Sequence, residues 1–191
     1  ASGAAAYGLD VGLDPTLGDP VFSKIENDVV AESFRIRRTN GALISSGGIT
    51  LGTTSGAYAA ANTLDDYEEG TFTATLVGYY ASPSSAVTAT GLYTKVGNKV
   101  ELMLNFENVN TTGASGNMWV TGLPFASSGV YCILPAQMNS AGTFPNSSPF
   151  GLVSGTVCYF YKHASNAGAS AVFHNAGTSR TIRVSGNYRV A

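Results

Sequence analysis

Charged residues are scarce in this chain: of its 191 residues, 12% are Asp, Glu, Lys or Arg, against about 25% in an average soluble domain. The acidic and basic residues nearly cancel, which leaves a net charge of -2. This balance excludes a basic nucleic-acid-binding platform and an acidic, solvating tail. Uncharged surfaces of this extent must be rich in hydroxyl groups or form interfaces, which favours a homo-oligomer over a monomer.

Long apolar runs are also missing. No stretch of about 18 apolar residues occurs, so no membrane insertion is expected. The first six residues lack a basic region and a long apolar region, so no signal peptide is predicted there. The two cysteines, Cys132 and Cys158, are too few for a disulfide framework and are expected to be reduced and packed.

Apolar and polar residues alternate through most of the chain, and no amphipathic helix of three turns is recognisable. The clearest case is residues 99–106, where Val100, Leu102, Leu104 and Phe106 share one face of a predicted strand. Similar short runs, separated by turn-forming residues, continue to the C-terminus. The pattern predicts an all-β fold, with a jelly-roll-like β-sandwich head over residues 71–191.

The first 60 residues differ from this head. Residues 1–20 are rich in Gly and Asp without an apolar period, which predicts an extended arm that needs a neighbour to become ordered. Residues 33–37 alternate as a half-buried strand, and Asn40-Gly41 is typical of a hairpin turn. We therefore expect an N-terminal arm or shaft that contains a β-hairpin.

Acidic residues concentrate between these two parts, in residues 61–70. Asn62 or Thr63 is predicted to cap a single helical turn that ends at Gly70. We interpret the segment as a junction between shaft and head, whose carboxylates face arginines 35, 37 and 38 or solvent. The candidate junction or interface residues are Asp65, Asp66, Tyr67, Glu68 and Glu69.

No residues are assigned a catalytic role. A glycosidase needs two carboxylates roughly 5–10 Å apart across a sugar, and the acidic segment has no second motif to support such a pair. Calcium remains an alternative at this segment or at Asp10, Asp14 and Asp19, although the pattern of a calcium-binding loop is absent. A zinc site built from both histidines, His163 and His174, and both cysteines lacks the usual ligand spacing. No cofactor is predicted.

Aromatic residues are the best candidates for binding. Sugars stack on aromatic faces, and Tyr79 and Tyr80 lie where a loop should begin. Trp119, the only tryptophan, is a third candidate for glycan or receptor contact, with packing as the competing interpretation. Residues 157–161 are apolar on both faces of their predicted strand, so a second sheet or a neighbouring subunit should cover them.

Residues 61–73, ANTLDDYEEGTFT, resemble a segment found in bacteriophage tail-fibre and other virion structural proteins. Three further segments resemble parts of the β-rich domain that follows it, in the same order. They are residues 91–100, 121–125 and 182–190. One departure is Ala74, where the family usually has proline.

This resemblance implies a homotrimeric virion component on the exterior of the phage particle, in contact with other virion proteins. The expected role is a tail-fibre or spike tip that attaches to a host-surface glycan or protein. One alternative is a capsid decoration or head-fibre protein anchored to the major capsid protein. Another, from a different class, is a glycan-degrading enzyme, but the motif carries no catalytic residues and no enzyme is predicted.

Overall fold

A computed structural model describes residues 8–45, 49–50, 63–64, 66–129, 131–144, 147–163 and 168–190. The secondary structure of these residues is β, without a helix, which confirms the predicted all-β class. In chain order, the strands are β1 (Gly8–Leu13), β2 (Pro20–Glu26), β3 (Val29–Ile36), β4 (Leu43–Ser45), β5 (Ile49–Thr50), β6 (Thr63–Leu64), β7 (Tyr67–Gly78), β8 (Thr88–Val96), β9 (Lys99–Val109), β10 (Met118–Thr121), β11 (Cys132–Asn139), β12 (Gly142–Thr143), β13 (Ser148–Ser154), β14 (Val157–His163), β15 (Ser170–Ala171), β16 (Phe173–His174) and β17 (Arg180–Arg189).

The chain divides into two compact units, Ala1–Asp66 and Tyr67–Ala191. The division falls within the predicted junction of residues 61–70. The acidic residues from Tyr67 onward do not form the predicted helical turn. They begin strand β7, because residues Tyr67 to Gly70 pair in register with β8.

In the first unit, β1 to β4 form an antiparallel sheet in chain order. The predicted turn at Asn40-Gly41 does join two strands, β3 and β4, and Gly41 has a φ of 69°. A second turn, which was not predicted, joins β2 to β3. Its residues Asn27 and Asp28 both have positive φ, 51° and 64°, as a two-residue type I′ turn requires.

Residues 1–20 were predicted to be an extended arm that needs a neighbour to become ordered, and for the described part that neighbour is strand β2 of the same chain. Strand β1 pairs along its whole length with β2 of the same chain. The signal for this strand was overlooked: Leu9, Val11 and Leu13 alternate with Gly or Asp, although all residues of β1 are exposed and neither face is buried.

In the second unit, eight strands close into an antiparallel barrel in the order β10-β7-β8-β9-β17-β11-β13-β14, with β14 returning to β10. Strand β15 extends the edge of β14 beyond β10. The interior is formed by alternate residues, and Val100, Leu102, Leu104 and Phe106 are each at most 2% exposed, as predicted. The closed ring fits the all-β class, but it does not by itself establish a jelly roll of two sheets.

Strands β13 and β14, the second of which contains the predicted strand of residues 157–161, form a hairpin. Both cysteines are free. Cys132 lies opposite Val153 on β13, and Val153 lies opposite Cys158 on β14. One strand therefore separates the two cysteines, so their Cα atoms are roughly 10 Å apart, beyond the reach of a disulfide of about 7 Å.

Residues 67–73 of the first segment that carries the virion resemblance, and the three other segments, lie in this barrel. The first two pair as β7 and β8, where Gly70 lies opposite Tyr93 and Phe72 lies opposite Gly91. A Cβ atom on Gly91 would lie 2.3 Å from the Phe72 ring, so this glycine gives the ring its place over the backbone.

The other two segments pack against this pair. The Phe125 ring lies edge-on to Tyr93, with centroids 5.2 Å apart. The buried Tyr188 hydroxyl donates a hydrogen bond to the Phe125 carbonyl at 2.9 Å, and accepts one from the Phe125 amide at 3.3 Å. Burial raises the pKa of Tyr188 to about 12, so this hydroxyl stays protonated. The segments that carry the resemblance therefore contact one another within the barrel.

Candidate functional site: an aromatic groove on the barrel

A groove opens where two neighbouring strands of the barrel diverge. Strand β10 pairs with β14 only from Trp119 opposite Tyr159 to Thr121 opposite Val157. Beyond Trp119, residues 171–173 enter between the two strands. The Val172 amide donates to the Phe160 carbonyl at 2.9 Å, and the Met118 amide donates to the Val172 carbonyl at 2.9 Å.

Alternation along the strands decides which side chains face the groove. Met118 and Phe160 are each 1% exposed and belong to the core. Their neighbours Trp119, Tyr159 and Tyr161 are half-buried and point to the outer side. The volume of the groove is about 300 Å³. We call it the aromatic groove; its outer lining residues are Tyr79, Asn117, Trp119, Tyr159, Tyr161 and Ala171.

The rings contact one another in series. Trp119 lies between Tyr79, at a centroid distance of 6.1 Å, and Tyr159, at 5.8 Å. Tyr80 packs edge-on against Tyr79 at 4.9 Å. The side chains of Tyr79 and Tyr80 remain 62% and 77% exposed. The structure therefore brings together all three aromatic residues that the sequence singled out, and Trp119 both packs and lines the groove.

Backbone hydrogen bonds hold the turn that carries the two tyrosines. The Tyr79 amide donates to the Asn117 carbonyl at 2.9 Å, and the Tyr80 amide donates to the Ser115 carbonyl at 3.2 Å. The Ser115 amide donates back to the Ala81 carbonyl at 2.8 Å. The rings of this turn thus stand on a fixed backbone rather than on a free loop.

Sequence reasoning missed Tyr159 and Tyr161 as groove residues. Their signal was present, since residues 157–161 are apolar on both faces. That signal indicated a cover over both faces but not an opening. The opening depends on residues 171–173, whose insertion between β10 and β14 no local pattern predicts.

His174 supports the groove from beside it. Its Nε2 atom donates a hydrogen bond to the Val77 carbonyl at 3.1 Å, and Val77 is the register partner of Trp119. The Nδ1 atom is buried without a hydrogen-bond partner. Burial lowers the pKa of this imidazole, while the bond to Val77 partly opposes that effect.

The acidic residues predicted as a junction do not form a catalytic pair in the described part of the chain. Glu68 accepts a hydrogen bond from the Tyr93 hydroxyl, and Glu69 accepts one from Tyr67 at 2.8 Å. As neighbours on one strand, the two glutamates point to opposite faces. Their bonds raise the pKa of Tyr93 and of Tyr67. Asp66 is exposed next to β7, and Asp65 lies outside the described residues.

Two of the three aspartates considered for calcium, Asp14 and Asp19, lie beside an arginine, whereas Asp10 is exposed on strand β1. The Arg35 guanidinium lies 3.4 Å from Asp14, 3.8 Å from Asp19 and 2.5 Å from Glu32. Hydrogen bonds from the amides of Leu17 and Thr16 lower the pKa of Asp14, and the bond from Arg35 lowers that of Glu32. This network gives Arg35 partners other than the acidic residues of the junction.

Among the residues that the structure describes, no three His, Cys, Asp or Glu side chains are grouped so that they could hold a metal ion. His163 stacks on Phe150 at a centroid distance of 4.9 Å, whereas His174 bonds to Val77. Cys132 lies on β11 and Cys158 lies on β14, two strands of the barrel. The four ligands considered for zinc therefore do not converge.

In the described ranges, no helix is long and apolar enough to cross a membrane. No known protein-family model matches the chain, and a search of curated proteins found no match either.

Proposed function

We propose that the protein is a bacteriophage virion structural protein that attaches the particle to the host surface. In this proposal it forms a homotrimer on the exterior of the virion, at a tail-fibre or spike tip. The observation that carries the proposal is the aromatic groove: a small, fixed opening lined by exposed rings on the outside of a closed barrel. The virion assignment is supported by the resemblance of residues 61–73 and the three segments that pack with them.

Exposed apolar residues on strands β8, β9 and β11, which do not line the aromatic groove, support an assembly of copies. Leu92 lies opposite Met103, and these side chains are 56% and 62% exposed. Met103 also borders a shallow groove with Pro135, next to the 62% exposed Ile133. We call Leu92, Met103, Ile133 and Pro135 the apolar outer face. Ser185 of β17 lies opposite Met103, between Met103 and Pro135, so the apolar side chains flank a shallow groove. Exposed apolar side chains grouped in this way are typical of an interface, and the proposed occupant is a second copy of the barrel.

The alternative of a capsid decoration protein is favoured by a different feature. On strand β1, Leu9, Val11 and Leu13 are 69%, 58% and 69% exposed. An edge strand with exposed apolar residues invites pairing with another chain. In a decoration protein, this strand would anchor to the capsid.

Light scattering separates these two proposals. The masses of the full chain and of residues 67–191 are measured at the same molar concentration. A trimer that survives truncation supports a fibre tip whose barrel holds its own threefold interface. A trimer that is lost on truncation favours an anchoring N-terminal unit, and a full-length monomer would overturn the trimer.

Attachment is tested by adding fluorescently labelled full-length protein to a panel of bacterial strains. Saturable retention on at least one strain is expected, without release of reducing sugar from its surface polysaccharide. Retention on none of the strains would contradict the attachment role. Release of reducing sugar would favour the glycan-degrading enzyme instead.

A further inference from the structure

We infer that the aromatic groove binds a neutral glycan, one without carboxylate, sulfate or phosphate groups. This inference rests on the proposed attachment function and names the ligand class of its site. It is carried by three features of the groove: the chemistry of its lining, the arrangement of its rings, and the rigidity of its frame.

The lining offers hydrogen bonds but no charge. Its side-chain polar groups are the hydroxyls of three tyrosines, the indole N–H of Trp119 and the amide of Asn117, and none of its outer residues is Asp, Glu, Lys, Arg or His. A uronate, sialate or phosphate would lose its hydration there without gaining an ion pair or a charge-assisted hydrogen bond. Single-stranded nucleic acid is disfavoured for the same reason, because its backbone requires a positively charged groove. A sugar hydroxyl meets no such penalty.

The rings of Tyr79, Trp119 and Tyr159 are not stacked face to face on one another, whereas Tyr161 stacks on Phe150, which does not line the groove. The planes of Trp119 and Tyr159 are inclined by 52°, and those of Trp119 and Tyr79 by 72°. Rings inclined in this way do not cover each other by parallel stacking. A sugar places its apolar C–H face on such a ring while its hydroxyls point to polar neighbours. Tyrosine and tryptophan suit this task because each combines a rigid apolar body with a hydrogen-bonding edge.

The frame around these rings is already ordered. Met118 and Phe160 anchor the base of the groove in the core, and the backbone bonds of the Tyr79–Tyr80 turn fix one wall. Ordering of side chains and loops is a main cost of binding, so a fixed groove retains more of its contact energy. The volume of about 300 Å³ lies at the small end of ligand pockets, at roughly 300–1,000 Å³, which suits a short segment of a glycan. Weak single sites would add together in a trimer.

Trp119 supplies the test, because it is the only tryptophan in the chain and its fluorescence reports on this groove. The full chain is titrated with neutral oligosaccharides of hexoses, N-acetylhexosamines and deoxyhexoses, and with oligogalacturonate and oligosialate as acidic probes. We expect a saturable shift of Trp119 emission with at least one neutral probe and none with the acidic probes. A response to acidic probes alone, or to no neutral probe, would overturn the inference.

Two variants locate the binding. Tyr159→Ala removes a ring that contacts Trp119, and Ala171→Tyr fills the groove while every ring is kept. Each should weaken binding of the responding neutral probe at least about tenfold, the usual effect of losing a central aromatic contact. Tyr131→Ala, which removes a tyrosine that is 70% exposed outside the groove, should leave binding unchanged. Equal affinity in all three variants would contradict the location.

Two further readouts keep this inference apart from the proposed function. If the Tyr159→Ala variant is still retained on the bacterial strain, the glycan site in the groove is wrong but the attachment role stands. Loss of retention in that variant supports both the attachment role and the glycan site. If Tyr159→Ala instead lowers the mass measured by light scattering, the groove is covered by a second copy, and the glycan site is wrong.

Discussion

Two glycines determine how the first pair of barrel strands packs. Gly70 and Gly91 lie opposite Tyr93 and Phe72, and each leaves space for an aromatic ring to lie over the backbone of the partner strand. Glycine normally weakens a strand because it has no side chain to pack. Here the aromatic ring on the paired strand packs over the glycine. The contacts of that ring stabilise the pairing of the two strands.

Gly91→Ala should therefore destabilise the barrel. The new methyl group would meet the Phe72 ring at 2.3 Å, and displacing a buried ring typically costs about 1–3 kcal/mol of unfolding free energy. Urea denaturation of the full chain measures the change. Gly168→Ala is the matched control, because no atom lies within 4 Å of its added Cβ. Equal stability of the two variants would show that the Phe72 ring does not rest on Gly91.

His174 predicts a loss of stability on mild acidification. Its pKa in the folded state is lowered by burial, below the value of about 6.5 in an unfolded chain. The unfolded state then binds the proton more readily, so stability is complete above about pH 6.5 and falls as the pH drops through the lower folded-state pKa.

The measurement is the thermal unfolding midpoint at successive pH values between neutral and mildly acidic. His174→Gln should flatten the decrease, whereas replacement of the exposed His163 by Gln should not. The lowered pKa values of Asp14 and Glu32 belong to the first unit and act at lower pH, below about 4. If the acid loss is the same in wild type and in His174→Gln, this histidine is not its source.

At the scale of elements, local patterns identified strands better than they identified their partners. Strand β9 was predictable because its alternate residues are apolar and every one of them is buried. Strand β17 lacks such a pattern, since Gly186 and its polar neighbours interrupt it, yet it pairs with β9 from Arg189 back to Arg180 with one irregularity. The predicted helical turn failed because its acidic residues suited a helix start locally, while pairing with β8 decided the outcome.

Within the barrel, the contact between strands β10 and β14 should be the least stable. It has only the three register pairs from Trp119 to Thr121, whereas β9 and β17 pair along nearly their full lengths. Local opening is easiest where few backbone hydrogen bonds must break together. We expect amides of residues 118–121 to exchange with deuterium on the order of tenfold faster than those of residues 100–106, equivalent to about 1.4 kcal/mol.

Hydrogen exchange measured by mass spectrometry on the full chain tests this contact. The comparison must be made after correction for the intrinsic exchange rate of each peptide. Equal protection of the amides in all barrel strands would mean that the barrel opens only by global unfolding. The expected opening is a minor state; in the closed barrel, which is the main state, the backbone around the aromatic groove is ordered.

At the scale of the whole molecule, the apolar outer face predicts how copies associate. Met103→Glu places a charge in the middle of this face, and burying an unpaired charge in an interface is strongly unfavourable. We expect light scattering to fall from the mass of three chains of 19.7 kDa toward that of one. The melting temperature of the isolated chain should change little, because the Met103 side chain is exposed on the outer surface of the barrel.

The matched control is Thr178→Glu, which adds the same charge on an exposed loop. It should leave the mass of the assembly unchanged. An intact trimer in Met103→Glu would place the contact between copies elsewhere, for example on the exposed apolar residues of β1.

The closure of the barrel and the aromatic groove could not be predicted from sequence, because both depend on long-range pairing. The residues were identifiable: Tyr79 and Tyr80 were singled out by type and by their place near a loop, and Trp119 as the only tryptophan. Their convergence required β10 to pair with both β7 and β14, which are far apart in the chain. Exposed rings can be found by pattern, but which rings share one opening follows only from the register.

That register also gives the barrel a direction. Tyr67, where the chain enters, and Arg189, near its exit, lie in one row of partners through Val96 and Lys99. Trp119 pairs with Val77, ten residues along β7, or roughly 30 Å away at about 3.3 Å per residue. The point where the chain enters the barrel and the aromatic groove therefore lie at opposite ends of strand β7, so a truncation that begins at Tyr67 leaves the rings of the groove untouched.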